Sequence, residues 1–441
     1  MAHGEVIVVG SGLAGMTAGV YLSEAGYKVY VLEAAAHPGG RTSSWIDQGM
    51  PIESGLHRFL GFYTALPEVL AKVGVSLNGM LRWEDEIEIR TPQNVHATLA
   101  LAPLHKPFKT IWDALGHSNF LSPADKLTLA AMFAAGAKEY VSDPLKLDQI
   151  TVLAHAKQHK VSEQTIRRAL IPLTEGIFFV PIGRYSMYNL MGLFMPYLKS
   201  LPKLRVGAFK GGMSEVMIQP MADYITKHGG TIHTNTAVRQ LLVTNGAVTG
   251  VFTAQGEYRA NHVILAASLY GAQQIITSSF HDRQPFRDLL RLPTMPAVTF
   301  QIELEKPSMP VDRTTFGPTT ALASFAEQSR TTFRQSAGRL SIILSPPKRF
   351  ITMPPAQILE IVKADAKTLG VPLNGIKQYR KIVLAGDFYS LAIGSEALRP
   401  PQKTSIPGLT LAGDYTKQPY LATMEGATVS GKLAAGLLLK K

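Results

Sequence analysis

Gly10, Gly12 and Gly15 stand in the order Gly-x-Gly-x-x-Gly, with Glu33 roughly 20 residues further on. Each of the four has a task beside a dinucleotide. Gly10 permits a tight turn, Gly12 lets a pyrophosphate approach the backbone, and Gly15 allows a helix to pack closely on a strand. The start of that helix offers free N–H groups and partial positive charge to the phosphates. Glu33 would accept hydrogen bonds from an adenosine ribose. A tight turn without a ligand needs the same glycines, so the elements around them decide. Val6-Ile7-Val8-Val9 reads as a buried parallel strand, and Met16, Val20 and Leu22 with Ala14, Ala18 and Ala25 suit a helix lying close on a sheet. Gly26 ends that helix, and Lys28 to Leu32 forms a second strand closed by Glu33. Strand, glycine turn, helix and acid-ended strand together predict a dinucleotide site.

Other spacings carry less. His155 and His159 stand four apart, as metal ligands on one helix face would, but no adjacent glutamate completes a zinc-hydrolase pattern. They are expected at the surface, and no metal is expected. The 441 residues include no cysteine, which excludes disulfides, thiolate metal sites and thiol nucleophiles and leaves redox chemistry to a bound cofactor. With 46% hydrophobic and 17% charged residues, the chain can bury a large core over roughly two or three domains. Its 44 basic and 32 acidic side chains leave a net charge of +12, spread along the chain without a basic block. That spread argues against a nucleic-acid partner and leaves an acidic ligand, an anionic membrane face or a plain solvated surface. No apolar run reaches the roughly 18 residues of a membrane-spanning helix, and no basic lead or cleavage signature precedes the strand at Val6. The expected compartment is the cytoplasm.

Two long segments interrupt the nucleotide-binding pattern. Residues 80–204 combine helical patterning, as in Leu127 to Phe133, with apolar clusters such as Ile177-Phe178-Phe179-Val180. The stretch from Tyr185 to Leu201 suits ordinary core, the lining of a long apolar tunnel, or a surface dipping into a membrane interface with Lys199, Lys203 and Arg205 beside it. Sheet and helix return near Lys210, with a helix over Val216 to Tyr224, a strand over Thr231 to Val238, and an Asn245-Gly246 hairpin turn. His262 to Ala267 reads as the strand that closes a nucleotide-binding half. In the second interruption, Val298 to Leu304 alternates as a half-exposed antiparallel strand would, Leu340 to Leu344 is another strand, and Pro354 to Leu369 is an amphipathic helix. The predicted organisation is residues 1–79, 205–290 and 400–441 in one discontinuous nucleotide-binding domain, with 80–204 and 291–399 in a substrate domain.

After Glu33, the loop Ala34 to Thr42 pairs Gly39 with Gly40 and carries Arg41, whose guanidinium fork suits phosphate oxygens. With the preceding fingerprint it resembles the flavoprotein amine oxidase and carotenoid desaturase superfamily, in which this loop touches the FAD pyrophosphate. Ala412-Gly413-Asp414-Tyr415-Thr416-Lys417-Gln418, Met424-Glu425-Gly426-Ala427 and Ser430-Gly431-Lys432-Leu433 look like plant-type and cyanobacterial phytoene desaturases and ζ-carotene desaturases. Gly394 to Pro400 resembles bacterial relatives that include hydroxysqualene dehydroxylase, and Glu53-Ser54-Gly55-Leu56-His57 resembles the family's Gly-Leu-His segment near the flavin. The likeness covers residues 1–75, 205–270 and the chain after about residue 390.

The resemblance implies an α/β fold, with a Rossmann-like FAD-binding domain of the glutathione-reductase type and an interleaved α+β substrate domain. It implies non-covalent FAD touching Gly10, Gly12, Gly15, Glu33, Gly39, Gly40, Arg41, Gly55, Leu56, His57, Val238, Gly413, Asp414, Thr423, Met424 and Ala427. A hydride would pass from an allylic C–H to flavin N5, and a proton would leave to a weak base or water. His57 and Glu425 are the candidate catalytic groups, with a purely structural role as the competing reading for each. Thr423 departs from the aromatic residue that amine oxidases commonly place there. Asn235-Thr236-Ala237-Val238 departs from the Asn-Ser-Arg-Ile of plant-type phytoene desaturases, which leaves another substrate open. The leading expectation is a phytoene or ζ-carotene desaturase-like enzyme, peripheral on the cytoplasmic membrane face, using quinone or oxygen as acceptor. Hydroxysqualene dehydroxylase, a peroxide-forming amine oxidase and a non-catalytic FAD-binding assembly protein are the alternatives, and homo-oligomerisation stays open.

Overall fold

The run Glu5–Val9 is apolar on both faces because both are covered: it lies in the middle of a parallel sheet. The computed structural model describes residues 4–84, 86–92, 96–100, 120–198 and 205–439. It orders this sheet as Thr231–His233, Lys28–Leu32, Glu5–Val9, His262–Leu265 and Leu409–Leu411. All pairings are parallel, with Val8 opposite both Val31 and Ile264. The sheet therefore gathers strands from the front, middle and end of the chain. The first helix, Leu13–Glu24, and the last, Met424–Leu439, lie against each other so closely that a Cβ on Gly431 would sit 2.2 Å from the Ala14 carbonyl oxygen.

A second sheet takes its strands in the order Ile376–Tyr389, Thr294–Leu304, Gly338–Leu344, Leu322–Glu327, Thr315–Phe316, Glu86–Arg90 and His96–Ala100. Its pairings are antiparallel except where Thr315–Phe316 runs parallel to Glu86–Arg90. One face packs on the amphipathic helix Pro355–Thr368 through Phe300, Ile302, Phe325, Leu340 and Ile342 against Ile358 and Val362. The other face turns Ala297, Thr299, Ser324 and Ile343 toward an internal cavity. This double covering corrects the half-exposed strand expected at 298–304: only Thr294 and Glu303 of Thr294–Leu304 escape full burial. The alternation is present, but its polar face is buried, with Gln301 Nε2 donating to the Glu53 carbonyl at 2.6 Å.

The helices Pro123–Ser142, Val152–Gln158 and Met187–Leu198 form a third layer beside the cavity. Tyr185, Met187, Leu190 and Met191 are core, whereas Leu193 and Phe194 reach the cavity wall. Lys199 and Lys203, expected to flank this stretch, lie outside the described residues. Two further expectations change. The strand at Thr231 ends at His233, because Asn235 turns to φ +52° and the Thr236 N–H goes to the Glu33 carbonyl. Val238 instead opens the antiparallel hairpin whose turn is Asn245-Gly246, both at positive φ. His155 is buried at 1% exposure rather than at the surface, its Nε2 3.3 Å from Glu139.

Candidate cofactor and substrate site

The glycine turn sits at the C-terminal edge of the parallel sheet and its three glycines do different things. Gly10 has φ +101°, and a Cβ there would lie 2.7 Å from the Ala266 carbonyl oxygen. On Gly15 a Cβ would come within 2.0 Å of the Gly10 carbonyl oxygen, so that contact demands glycine. Gly12 differs, because nothing in the protein lies within 4 Å of where its Cβ would be, and it leaves bare backbone on the cavity wall. The first helix starts there without a side-chain cap, so its leading amides are available to an anion. Glu33 stands alongside with Oε2 accepting from the Ser11 N–H at 2.9 Å and Oε1 from the Ala35 N–H at 2.8 Å. Ser11 Oγ donates to the same carboxylate and thereby orients it toward the cavity.

Arg41 and Asp414 come from opposite ends of the chain and meet as a two-pronged ion pair at 2.9 and 2.6 Å. The Arg41 guanidinium also lies over the Phe388 ring, 4.7 Å from its centre. The loop that carries Asp414 is held from behind by Arg399, a buried side chain that donates to the carbonyls of Asp414, Tyr415, Thr416 and Gln418 and pairs with Glu396. Ser11, Phe388, Asp387 and Arg399 escaped the sequence reading. A signal existed only for Arg399, inside the run Gly394 to Pro400; the others owe their positions to folding.

Gly39, Gly40, Gly55, Leu56, His57, Val238, Gly413, Thr423, Met424 and Ala427 all line the same cavity as Gly12, Glu33 and Arg41. Thr423 caps the final helix, its Oγ accepting from the Gly426 N–H at 3.0 Å. Glu425 corrects its expectation. It is fully buried and does not line the cavity. Its Oε1 accepts from the N–H groups of Thr64 and Ala65 at 2.7 and 2.6 Å and from the Thr64 hydroxyl at 3.0 Å, and its Oε2 accepts from the Leu66 N–H at 2.9 Å. A carboxylate so occupied caps the helix Ala65–Lys72 from outside it. His57 remains on the cavity wall, where Nδ1 donates to the Gly55 carbonyl at 3.0 Å. Burial pushes its imidazole down to about 4, aided by the nearby cations Arg41 and Arg58 and opposed by the Gly55 carbonyl. Behind it, burial pushes the Glu53 carboxyl up to about 7 against the pull of Gln328, the Met213 N–H, Arg339 and Arg58.

Away from the glycine turn the cavity wall becomes apolar. Leu173, Ile177, Phe178, Phe179, Leu193 and Phe194 supply one side, and Ala297, Thr299, Phe316, Ser324, Ile343 and Ile382 the other. Phe179 holds φ +62°, a conformation that costs a bulky residue roughly 1–3 kcal/mol and persists only where packing over-determines it. Its ring meets Phe388 edge-on at 5.7 Å, so the apolar wall touches the residue that stacks on Arg41. The whole cavity measures about 1310 Å³. That exceeds the roughly 300–1,000 Å³ of a site for one small ligand and leaves room for a dinucleotide and a second molecule. Bare backbone at Gly12, a carboxylate fixed at Glu33 and a guanidinium at Arg41 fit a flavin dinucleotide.

The family described as flavin containing amine oxidoreductase matches residues 13–439. Among curated proteins, the zeta-carotene desaturase of Arabidopsis thaliana is 26% identical over 98% of this chain and 85% of its own length. The 15-cis-phytoene desaturase of Glycine max is 25% identical over 99% of this chain and 79% of its own. Among solved structures, a putrescine oxidase superimposes with a TM-score of 0.78 at 17% identity, over 99% of both chains. An oxidoreductase from Methanosarcina mazei gives 0.74 at 18% identity, over 99% of this chain and all of the other. These two likenesses establish the fold.

Proposed function

Because the chain belongs to the flavin-containing amine oxidoreductase family and is an FAD-dependent oxidoreductase, we propose that it removes hydrogen from a long apolar isoprenoid. One observation carries the choice: one side of the cavity is walled by Leu173, Ile177, Phe178, Phe179, Leu193 and Phe194, and the charged groups lining it outside the cofactor residues are the cations Arg58, Arg205 and Arg239 with the single carboxylate of Asp387. An ammonium substrate would lose its hydration against that apolar side, which offers no carboxylate to replace it. A polyene loses little, and gains from burial of its own surface.

FAD, held without a covalent bond, supplies the two-electron acceptor for hydride. The chain's residues do the rest. Gly12 and the first helix would receive the diphosphate, Glu33 the ribose and Arg41 the phosphate oxygens, and Val238 would lie toward the adenine. Phe178, Phe179 and Leu193 orient the hydrocarbon and keep water from the developing cation. A quinone or oxygen would be the final electron acceptor. Desaturation of phytoene or ζ-carotene is the first reading, and the zeta-carotene and phytoene desaturases among the relatives support it. Dehydroxylation of hydroxysqualene, in which C–OH becomes C–H and water leaves, is the second reading; it uses the same apolar wall and would take its two electrons from reduced flavin.

The substrate is drawn from the cytoplasmic face of a membrane in this proposal. Support comes from the helix Pro123–Ser142 and the turn after it, where Leu127 and Val141 are each 73% exposed and Leu145 56%. On a neighbouring face of the same helix, Phe133 meets the cavity residue Phe194 edge-on at 5.2 Å. Among the described residues no helix is long and apolar enough to cross a membrane. Flotation with anionic liposomes should carry the protein upward, and Leu127→Ser with Val141→Ser should leave it at the bottom.

The deciding experiment is anaerobic mixing of the holoprotein with phytoene or ζ-carotene in liposomes, separately with polyamines, and, after chemical reduction of the flavin, with hydroxysqualene, which should restore the flavin colour if it is the substrate. Bleaching of the flavin band by an isoprenoid alone is expected and ranks the substrates. Bleaching by amines alone overturns the proposal, and no change of the flavin band in any of the arms favours a non-catalytic FAD-binding role.

A further inference from the structure

Resting on that isoprenoid reading, we propose that His57 Nε2 is the base that takes the substrate's proton. The tautomer follows from one hydrogen bond. A carbonyl oxygen only accepts, so the contact between Nδ1 and the Gly55 oxygen at 3.0 Å places the ring hydrogen on Nδ1. Nε2 is left with its lone pair and no protein partner among the described residues, on a ring that lines the cavity.

The other bases of the cavity wall are occupied or remote. Glu33 is held by Ser11 and Ala35, and both oxygens of Asp414 are taken by Arg41. The His37 ring is stacked on Trp45 at 4.7 Å. Asp387 lines the cavity beside the Arg41 cation, and its charge is set against that guanidinium. Glu425 is on the far side of its helix.

The chemistry asks for a base of this kind. Once a hydride has left an allylic carbon with its electron pair to the bound flavin, the adjacent C–H bond breaks. Its electron pair becomes the second bond of the new alkene, and the proton passes to Nε2. Burial first, and then the cations Arg41 and Arg58, the charged groups that bear on the ring, keep it unprotonated over the physiological range. A carbocation is acid enough to protonate even so weak a base, and the resulting imidazolium sheds its proton to water, which resets the site.

The test compares wild-type holoprotein with His57→Ala and His57→Gln. Flavin bleaching and alkene formation are followed separately under anaerobic conditions, and the wild-type imidazole is observed by nitrogen NMR. Wild-type His57 should show a hydrogen on Nδ1 and stay neutral down to about pH 5. Both variants should bleach flavin yet form alkene roughly 100-fold or more slowly. Water then traps the cation as an alcohol, and added imidazole restores alkene formation in His57→Ala but not in His57→Gln. Alkene formation at the wild-type rate in either variant, or a hydrogen on Nε2 in the wild type, overturns the inference. Should His57→Ala lose its flavin, the NMR tautomer and His57→Gln still decide. If no isoprenoid bleaches the wild-type flavin, the functional reading fails instead.

Discussion

Around the glycine turn the surface offered to a ligand is backbone, whereas around Phe178 and Leu193 it is side chain. In the nucleotide half a contact exists because a side chain is missing, and only one residue type satisfies each position. In the substrate half the wall is built from many interchangeable apolar groups, each contributing a little dispersion and burial. The first region is therefore brittle and specific for one cofactor. The second is tolerant, and its substrate can change by small steps.

The sharpest test of that contrast sets two glycines of the same motif against each other. Gly15→Ala drives a Cβ to within 2.0 Å of the Gly10 carbonyl oxygen, so strand and helix must part; we expect loss of folded protein, or a melting temperature lowered by many degrees, together with loss of flavin. Gly12→Ala meets nothing within 4 Å, so the apoprotein should melt as the wild type does while FAD affinity falls at least tenfold. Differential scanning calorimetry with a flavin titration separates the two. A Gly12→Ala protein that keeps wild-type affinity would break the comparison, because the open space there would then not serve a ligand.

Next in size comes Glu425. Removing its carboxylate with Glu425→Ala strands the N–H groups of Ala65 and Leu66 in the interior and frees that of Thr64 nearer the surface, at a cost of about 2–4 kcal/mol. Denaturant unfolding should show that loss, and Glu425→Gln should recover part of it. Turnover per folded, flavin-loaded molecule should stay near wild type in Glu425→Gln. A stable Glu425→Gln protein with no turnover would return the residue to chemistry.

How legible all this was follows the same division. The order Gly10, Gly12, Gly15 and Glu33 could be read directly, because each is a local demand of a turn or helix start. Arg41 and Asp414 were legible singly, as members of two motifs, yet nothing in either motif says that they pair across the chain. Glu425 misled because adjacency in sequence to Met424 was read as adjacency to the cofactor. A helix points successive residues about 100° apart, so Met424 faces the cavity and Glu425 faces Ala65. Val298 to Leu304 misled for a similar reason: alternation reports that two faces differ, and cannot say that the polar one is buried against Glu53. Phe388 and Ser11 have no local signature, since their roles come from strands and loops that meet only after folding.

The seam between the halves gives a pH-dependent test. Glu53 ends the strand Met50–Glu53, and its carboxyl accepts at 3.3 Å from Gln328, which follows the strand Leu322–Glu327 of the second sheet. Its folded value is raised to about 7, above the usual 4.5, so between those pH values the folded state binds a proton that the unfolded chain has released. The stability associated with that proton is present below about pH 4.5 and is lost as pH rises through about 7, amounting to a few kcal/mol on the order-of-magnitude scale of 1.4 per unit. Glu53→Gln should flatten this decline in a series of urea melts from pH 5 to pH 8. An unchanged slope would assign the effect to other groups and leave the seam electrically neutral.

The smallest effect should come from the substrate wall. Leu193→Phe adds volume where the helix Met187–Leu198 meets the cavity, at a position only 7% exposed. The flavin spectrum and the melting temperature should barely move. The preference between a longer and a shorter isoprenoid should shift by about tenfold toward the shorter, since one extra group in an apolar site is worth roughly 1–3 kcal/mol of discrimination. Competition between the two substrates, read as the ratio of their kcat/KM values, measures it. A change in flavin affinity instead would mean that the wall and the cradle are one mechanical unit, and the contrast between a brittle half and a tolerant half would have to be drawn elsewhere in the molecule.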